Sequence, residues 1–327
     1  MRPTILLTTT SFQDTPGGHH DALAATGWEV VRARGPLSEE DLLPLMGGVD
    51  ALLCGDDMLT ARVLSAAAPR LRVVSKYGIG VDKIDVAACT ALGIPVLFTP
   101  GVNHTTVAEH AFLLMLALER NLLFHTDSTR SGGWKRRTGH ELAGRTLGIV
   151  GLGRIGREVA KRARAFGMEI LATNRTWDDA FATEHGIERA ADHADLLSRA
   201  DVVSLHVSLA AETRHLLREE TIGLLKSDAI VVNCARGEIV DTAAMASALA
   251  SGRVRGYATD VLDVEPPSAD HPLTRLPNCL VTPHVGSRTF ESVERQAAAA
   301  VTNLVAAMRG ERPLAQVNPA VPVHRIV

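Results

Sequence analysis

Short apolar runs recur along the chain, separated by longer stretches with helical spacing. Ile5-Leu6-Leu7, Ala51-Leu52-Leu53, Arg72-Val73-Val74 and Pro95-Val96-Leu97 predict the first strands. Leu147-Gly148-Ile149-Val150, Glu169-Ile170-Leu171, Val202-Val203-Ser204-Leu205, Ile230-Val231-Val232 and Leu280-Val281 predict the later ones. Continuous apolar runs, rather than alternating ones, mark strands buried on both faces. Ala-, Leu- and Arg-rich helical stretches lie between them. Strand, helix, strand repeated this often predicts parallel sheets covered on both sides, an α/β fold.

The pattern also suggests boundaries. Thr99-Pro100-Gly101 is a turn signal. A long apolar helix from about His104 to Phe124 should follow, then a polar stretch, Ser131-Gly132-Gly133-Trp134-Lys135-Arg136-Arg137. A second break falls near Gly286-Ser287, before a last helix from about Thr289 to Met308 and a proline-containing tail. Pattern alone leaves open whether that tail belongs to the second half or returns to the first.

Composition narrows the function. A chain of 327 residues fits two domains of ordinary size. With 34 basic against 37 acidic residues, no field points to a nucleic-acid or bilayer partner. No apolar run reaches the roughly 18 residues of a membrane span. The longest, Ala111 to Leu118, ends at Glu119-Arg120. Ile5-Leu6-Leu7 is too short for a signal-peptide core. Cys54, Cys89, Cys234 and Cys279 are scattered without metal-ligand spacing, so no metal is expected. They read as reduced thiols of a cytoplasmic protein.

One segment carries specific chemistry. Arg145 to Val150 reads as a buried strand, Arg157 to Phe166 as a helix, and Gly151-Leu152-Gly153-Arg154-Ile155-Gly156 joins them. This is GxGxxG in the setting it requires. Gly151 permits the tight turn, Gly153 admits a pyrophosphate, and Gly156 lets helix and strand pack closely. The helix N-terminus, at Arg154 and Ile155, offers N–H groups to the phosphates. An NAD site wants a carboxylate about 20 residues further on, for the ribose 2′-hydroxyl. The next strand ends instead in Asn174-Arg175-Thr176. Arg175 suits a 2′-phosphate, so NADP is favoured over NAD, although Asp178 and Asp179 follow closely enough to reach a ribose.

Three further candidates stand at or near the ends of later strands, where ligands bind in such sheets. Arg236 follows Val231-Val232-Asn233-Cys234-Ala235, Glu265 sits in Asp263-Val264-Glu265-Pro266-Pro267, and His284 follows Leu280-Val281-Thr282-Pro283. An arginine clamps a carboxylate and polarises a neighbouring carbonyl. A histidine exchanges a proton with a hydroxyl, and a glutamate beside it orients the ring and stabilises its acid form. Each residue alone has an ordinary alternative as a surface or loop group. The case rests on their joint order downstream of a dinucleotide loop.

The chain resembles the D-isomer-specific 2-hydroxyacid dehydrogenase family, especially members similar to phosphoglycerate dehydrogenase and glyoxylate/hydroxypyruvate reductase. The matching stretches are Lys76 to Asp82, Pro100-Gly101-Val102-Asn103 with Val107-Ala108-Glu109, Gly151 to Gly156, Asn233 to Gly237, Asp260 to Pro266, and Thr282 to Gly286. They occur in family order over nearly the whole chain. The resemblance implies that Arg236 binds and polarises substrate, His284 is the acid/base and Glu265 its partner. The loop Tyr77, Gly78, Ile79, Gly80 would hold the substrate carboxylate through backbone N–H groups, with Lys76 beside it. Asp260 would hold the nicotinamide carboxamide. His206, Val207, Ser208, Thr213, Cys234, Ala235 and Gly286 would line the cofactor. The family often has proline where Ser208 stands, a small departure.

The same resemblance implies the topology: a Rossmann cofactor domain, residues 100–287, inserted in a flavodoxin-like substrate domain, residues 1–99 and 288–327. It implies a homodimer supported by the helix from His104. Trp134 is then either a residue projecting toward a partner subunit's active site or an ordinary packing tryptophan. Nothing in the chain matches the additional regulatory domain of longer phosphoglycerate dehydrogenases, so serine feedback is not expected. The expected reaction is reversible hydride transfer between a nicotinamide cofactor and a small 2-keto or D-2-hydroxy acid. Glyoxylate, hydroxypyruvate, 3-phosphoglycerate and phosphonate-bearing analogues all fit a carboxylate clamp. Lys76, Arg136 and Arg137 are weighed as a second anion site, with solvated loop cations the preferred reading. A cofactor-sensing corepressor of the same fold is the alternative from another class.

Overall fold

The computed structural model describes residues 2–326 of the chain. It divides into two compact units, Met1–Asn103 with Arg288–Val327, and His104–Ser287. Both have the doubly wound, all-parallel α/β architecture that the alternating pattern implies.

In the first unit, β1 (Thr4–Leu7), β2 (Glu29–Arg32), β3 (Ala51–Cys54), β4 (Val73–Lys76) and β5 (Val96–Leu97) form a sheet of order β2-β1-β3-β4-β5. That is the flavodoxin-like order. β3 and β4 are buried at every position: β3 is apolar throughout, while β4 is apolar at Val73 and Val74 and buries Ser75 and Lys76 as well. The helix Phe290–Met308 belongs to this unit. Its Ala297, Val301, Leu304 and Met308 pack in one cluster with Ile5, Leu7 and Leu53. The tail stays here too. Val317 N donates to Val96 O at 2.8 Å. The Asn318 carboxamide accepts from Val96 N at 2.8 Å and donates to Ile94 O at 3.0 Å. The otherwise bare edge of β5 is thereby covered.

The second unit holds β6 (Thr146–Val150), β7 (Glu169–Thr173), β8 (Ile187–Arg189), β9 (Val202–Leu205), β10 (Ile230–Asn233), β11 (Gly256–Thr259) and β12 (Cys279–Val281). Their order is β12-β11-β10-β9-β6-β7-β8. Chain direction across the sheet reverses between β6 and β9, the switch point beside which such sheets bind nucleotides.

Three strands escape the apolar pattern. β2 and β8 lie at sheet edges with mostly exposed or half-exposed side chains. β11 is buried throughout but is written Gly-Tyr-Ala-Thr. The expected helix from His104 to Phe124 is two helices, His104–Glu119 and Leu122–Arg130, divided at Asn121. Asn121 has φ 49, ψ 41, a left-handed conformation that asparagine tolerates better than most residues. No helix among the described residues is long and apolar enough to cross a membrane.

The helix His104–Glu119 is pinned at its C-terminal end by charge. Glu119 is 0% exposed and accepts from Arg255 Nη2 at 2.7 Å through both oxygens. Arg145 Nη1 adds contacts of 3.3 and 3.4 Å. Removing one side of such a group leaves buried charge without a partner. Glu119→Ala is therefore expected to lower unfolding free energy by about 3 kcal/mol, read by chemical denaturation.

Candidate active site

The phosphate loop follows β6 directly. Gly151 has φ +99, and a Cβ there would lie 2.8 Å from His206 C and O and 2.9 Å from Val207 Cγ1. Gly156 packs so closely that a Cβ would meet Gly151 O at 2.1 Å. A Cβ at Gly153 meets nothing within 4 Å. Gly153 is also the N-cap of the 12-residue helix Arg154–Ala165, and no side chain caps that end. The first-turn amides of Arg154 and Ile155 have no intrahelical acceptor. An uncapped helix end facing open space, with the chain around it closed to all but glycine, fits a dinucleotide pyrophosphate.

The flanking candidates divide into scaffold and surface. Asn174 Oδ1 accepts from Leu152 N at 3.1 Å, and its Nδ2 donates to Thr176 O, tying the phosphate loop to the end of β7. Arg175 is exposed and makes no hydrogen bond or ion pair among the described residues. Asp178 is already engaged. It caps the helix Asp179–His185 by accepting from Phe181 N and pairs with Arg157 Nη2 at 2.9 Å. Those contacts, the Phe181 amide first, hold its carboxyl below the usual range.

His206 continues β9, donating its backbone N–H to Val150 O at 2.8 Å. Its Nε2 lies 2.8 Å from Ser204 Oγ, while its Nδ1 is buried without a partner. Burial pushes the imidazole down to about 4, so it is neutral at neutral pH. An orphaned polar atom behind the phosphate loop is a place for a ligand group. Ser208 and Thr213 close a turn, with Thr213 Oγ1 donating to Ser208 O at 2.7 Å.

The candidates Arg236, Glu265 and His284 stand after β10, β11 and β12, three neighbouring strands. Asn233, buried, shapes the turn after β10. Its Oδ1 accepts from Ala235 N at 3.0 Å and its Nδ2 donates to Arg236 O at 2.8 Å. Cys234 and Arg236 are half-buried on that turn. Arg236 Nη1 donates to Ala235 O at 2.7 Å. Gly237 then packs on the chain that leads to Glu265: a Cβ would lie 2.0 Å from Leu262 C. Glu265 Oε1 accepts from Leu262 N at 2.9 Å, and its Oε2 lies 2.9 Å from His284 Nδ1. An imidazole whose Nδ1–H donates to a carboxylate presents Nε2 as the atom that exchanges protons. His284 has φ 52, a left-handed conformation uncommon for a bulky side chain. Backbone strain of this kind concentrates at functional sites.

Asp260 lies beneath that turn rather than open to one side. Its Oδ1 accepts from Thr282 Oγ1 at 2.6 Å and Val285 N at 2.9 Å, and its Oδ2 from Gly286 N at 2.7 Å. Burial opposes ionisation, but the hydrogen bonds from His110, Thr282 and Val285 outweigh it and hold the carboxyl below the usual range. Asp260 Oδ2 has one recorded donor, so it retains capacity for another. Sequence reading missed Thr282, His110 and Asn233 as contributors. Asn233 and Thr282 were visible only as the first residues of motifs.

In the first unit, the carboxylate-binding expectation narrows. Tyr77 N donates to Cys54 O at 2.9 Å and Gly78 N to Thr99 Oγ1 at 2.9 Å. Ile79 and Gly80 keep amides with no acceptor among the described residues. Lys76 is not a solvated loop cation. It is 4% exposed, with Nζ 2.6 Å from both Gly55 O and Asp56 Oδ1. Trp134 is 77% exposed, so it is not an ordinary packing residue of its own chain.

Fold and site together define a dinucleotide-binding α/β protein with a histidine–carboxylate pair at the carboxyl edge of its sheet. The family model for the NAD-binding domain of D-isomer specific 2-hydroxyacid dehydrogenases matches residues 112–286. The glyoxylate reductase of Thermofilum pendens is 42% identical over 295 residues, covering 88% of this chain and 86% of that one. The D-3-phosphoglycerate dehydrogenase of Methanocaldococcus jannaschii is 40% identical over 293 residues, 89% of this chain, which spans only 56% of that relative's length. The solved structure of TT0316 protein from Thermus thermophilus superposes with a TM-score of 0.86 at 39% identity, covering 96% of this chain and 99% of that one. The chain belongs to the D-isomer-specific 2-hydroxyacid dehydrogenase family.

Proposed function

We propose that the protein is a 2-keto acid reductase, acting reversibly on small D-2-hydroxy acids and preferring NADP(H). The observation that carries this reading is the 2.9 Å contact of His284 Nδ1 with Glu265 Oε2, on the sheet that carries an uncapped phosphate loop. When bound, the nicotinamide supplies hydride to, or takes it from, the substrate C2. Arg236 clamps the carboxylate and polarises the carbonyl. His284 Nε2 gives a proton to the carbonyl oxygen during reduction, and Glu265 stabilises the imidazolium. In the first unit, the amides of Ile79 and Gly80, which have no acceptor among the described residues, are the groups suited to a carboxylate. Asp260 Oδ2 takes the nicotinamide carboxamide. The relatives named as glyoxylate reductases favour glyoxylate, with hydroxypyruvate and phosphonopyruvate as further candidates.

Loss of 340 nm absorbance with each keto acid, using NADPH and NADH in parallel, tests the reading. Turnover preferring NADPH is expected. Cofactor binding without turnover of any of them would sink the enzyme reading.

The cofactor preference rests on Arg175 having no partner among the described residues and on Asp178 being engaged by Arg157. A charge-assisted hydrogen bond contributes about 1.5–3 kcal/mol. Arg175→Ala is therefore expected to weaken NADPH binding about 10- to 100-fold and leave NADH unchanged, measured by fluorescence titration. Equal effects on both cofactors would remove Arg175 from the 2′-phosphate site.

A homodimer is part of the proposal. Leu113, Leu122, Leu123 and Trp134 are exposed on one stretch of the second unit. Light scattering of the purified protein reads the mass directly.

A further inference from the structure

The helix His104–Glu119 buries mostly apolar residues through its middle, from Val107 to Ala117, yet it aims one imidazole at the turn that carries His284. His110 Nε2 lies 3.0 Å from Thr282 Oγ1 and 3.3 Å from Asp260 Oδ1. Its side chain and that of Asp260 are nearly buried. The placement of protons in this cluster is fixed. Asp260 is ionised and only accepts. The single hydroxyl proton of Thr282 goes to Asp260 Oδ1 at 2.6 Å. Thr282 Oγ1 therefore meets His110 with a lone pair, and His110 Nε2 must carry a hydrogen.

What this cluster holds is the turn Thr282 to Gly286. Asp260 takes the amides of Val285 and Gly286, and its backbone O takes the amide of His284 at 2.9 Å. The turn needs holding, because His284 sits at φ 52. Positive φ is uncommon outside glycine, and a conformation of that kind is kept by the hydrogen bonds around it. His110 itself lies outside the segment 112–286 that the family model matches.

We propose that His110 is a positioning residue for the acid/base turn. It acts through Thr282 and Asp260 to keep His284 in its left-handed conformation with Nδ1 on Glu265. This rests on the reading of His284 as the proton donor in keto-acid reduction. His110 touches neither His284 nor Glu265 in any recorded contact.

The test compares His110→Leu, His110→Gln, Thr282→Val and the double variant His110→Leu/Thr282→Val. A glutamine places its Nε2 as many bonds from Cα as histidine does, so it can restore the donor. His110→Leu is expected to lower kcat for glyoxylate about 10- to 100-fold, with NADPH affinity within about twofold of the parent. His110→Gln should recover to within about threefold. In the Thr282→Val background, His110→Leu should cost less than it does alone, because both side chains act on the same carboxylate oxygen, Asp260 Oδ1. A kcat for His110→Leu within twofold of the parent, a glutamine no better than leucine, or effects that multiply in the double variant would overturn the proposal.

A second measurement does not depend on turnover. Long-range ¹H–¹⁵N spectra read the tautomer of each histidine. The parent should show His284 protonated at Nδ1 and His110 at Nε2, and His110→Leu should leave His284 as a mixture of tautomers. An unchanged His284 signal in that variant overturns the positioning role even if no keto acid is turned over. A parent that shows the expected tautomers but reduces nothing would instead fail the functional reading alone.

Discussion

Replacing His284 by alanine is expected to slow keto-acid reduction by about 10²- to 10⁴-fold, with NADPH binding unchanged. That range is what a positioned acid/base group contributes to proton transfer. The expected split follows from where His284 sits. Its ring is tied to Glu265, whose other oxygen is tied to Leu262 N. None of these groups belongs to the phosphate loop, whose open glycine Gly153 and uncapped helix end lie after β6. Losing the imidazole removes the proton donor and leaves the pyrophosphate cradle intact. Single-turnover reduction of glyoxylate at saturating NADPH, beside a fluorescence titration of the cofactor, separates the two effects. A rate within tenfold of the parent would move the proton source elsewhere. A cofactor affinity that collapses with the rate would mean that the turn, rather than the proton, had been lost.

The fold was legible where burial is two-sided. β3, β4, β9 and β10 are buried at every position, and each opens on at least two consecutive apolar residues as a result. β2 and β8 were not, because an edge strand has little apolar surface to write into the sequence. β11 was hidden for another reason: glycine and alanine there leave room for neighbours instead of filling it. The phosphate loop could be read because its chemistry is local, six residues between one strand and one helix. The order of Arg236, Glu265 and His284 was legible as a resemblance.

What joins them was not. The contact of Asp260 with Val285 and Gly286 spans 25 and 26 residues, and that of His110 with Thr282 spans 172. No periodicity encodes such pairs. They arise because parallel strands set their C-terminal ends side by side and because the helix His104–Glu119 packs against β10 and β11. A histidine in the middle of an apolar helix was the only mark that His110 left in the sequence. Lys76 shows the converse: its charge suggested a solvated cation, and the fold buries it against Gly55 O and Asp56.

Adding one methyl group at Gly237 should disable the site about 100-fold without touching any reacting side chain. A Cβ there would lie 2.0 Å from Leu262 C, 2.2 Å from Asp263 N and 2.3 Å from Leu262 O. These are backbone atoms, which cannot swing aside as a side-chain end does. The chain from Leu262 must therefore move away from the turn that carries Arg236. Leu262 N is the donor that fixes Glu265 Oε1, so Glu265 moves with it and its grip on His284 is lost. Displacement of about 1 Å at a reacting group costs on the order of 10²-fold in rate. Overpacking of this kind also costs about 1–3 kcal/mol of stability, so Gly237→Ala should stay folded but melt several degrees lower. Gly47→Ala is the control, since a Cβ there meets nothing within 4 Å and its φ is not one that side chains avoid. The control should keep full rate and the same melting point or a slightly higher one. Cofactor titration shows whether Gly237→Ala retains its phosphate loop. A folded, cofactor-binding Gly237→Ala with the parent's kcat would show that the Leu262–Glu265 segment yields freely, and that Glu265 does not depend on its backbone for its place against His284.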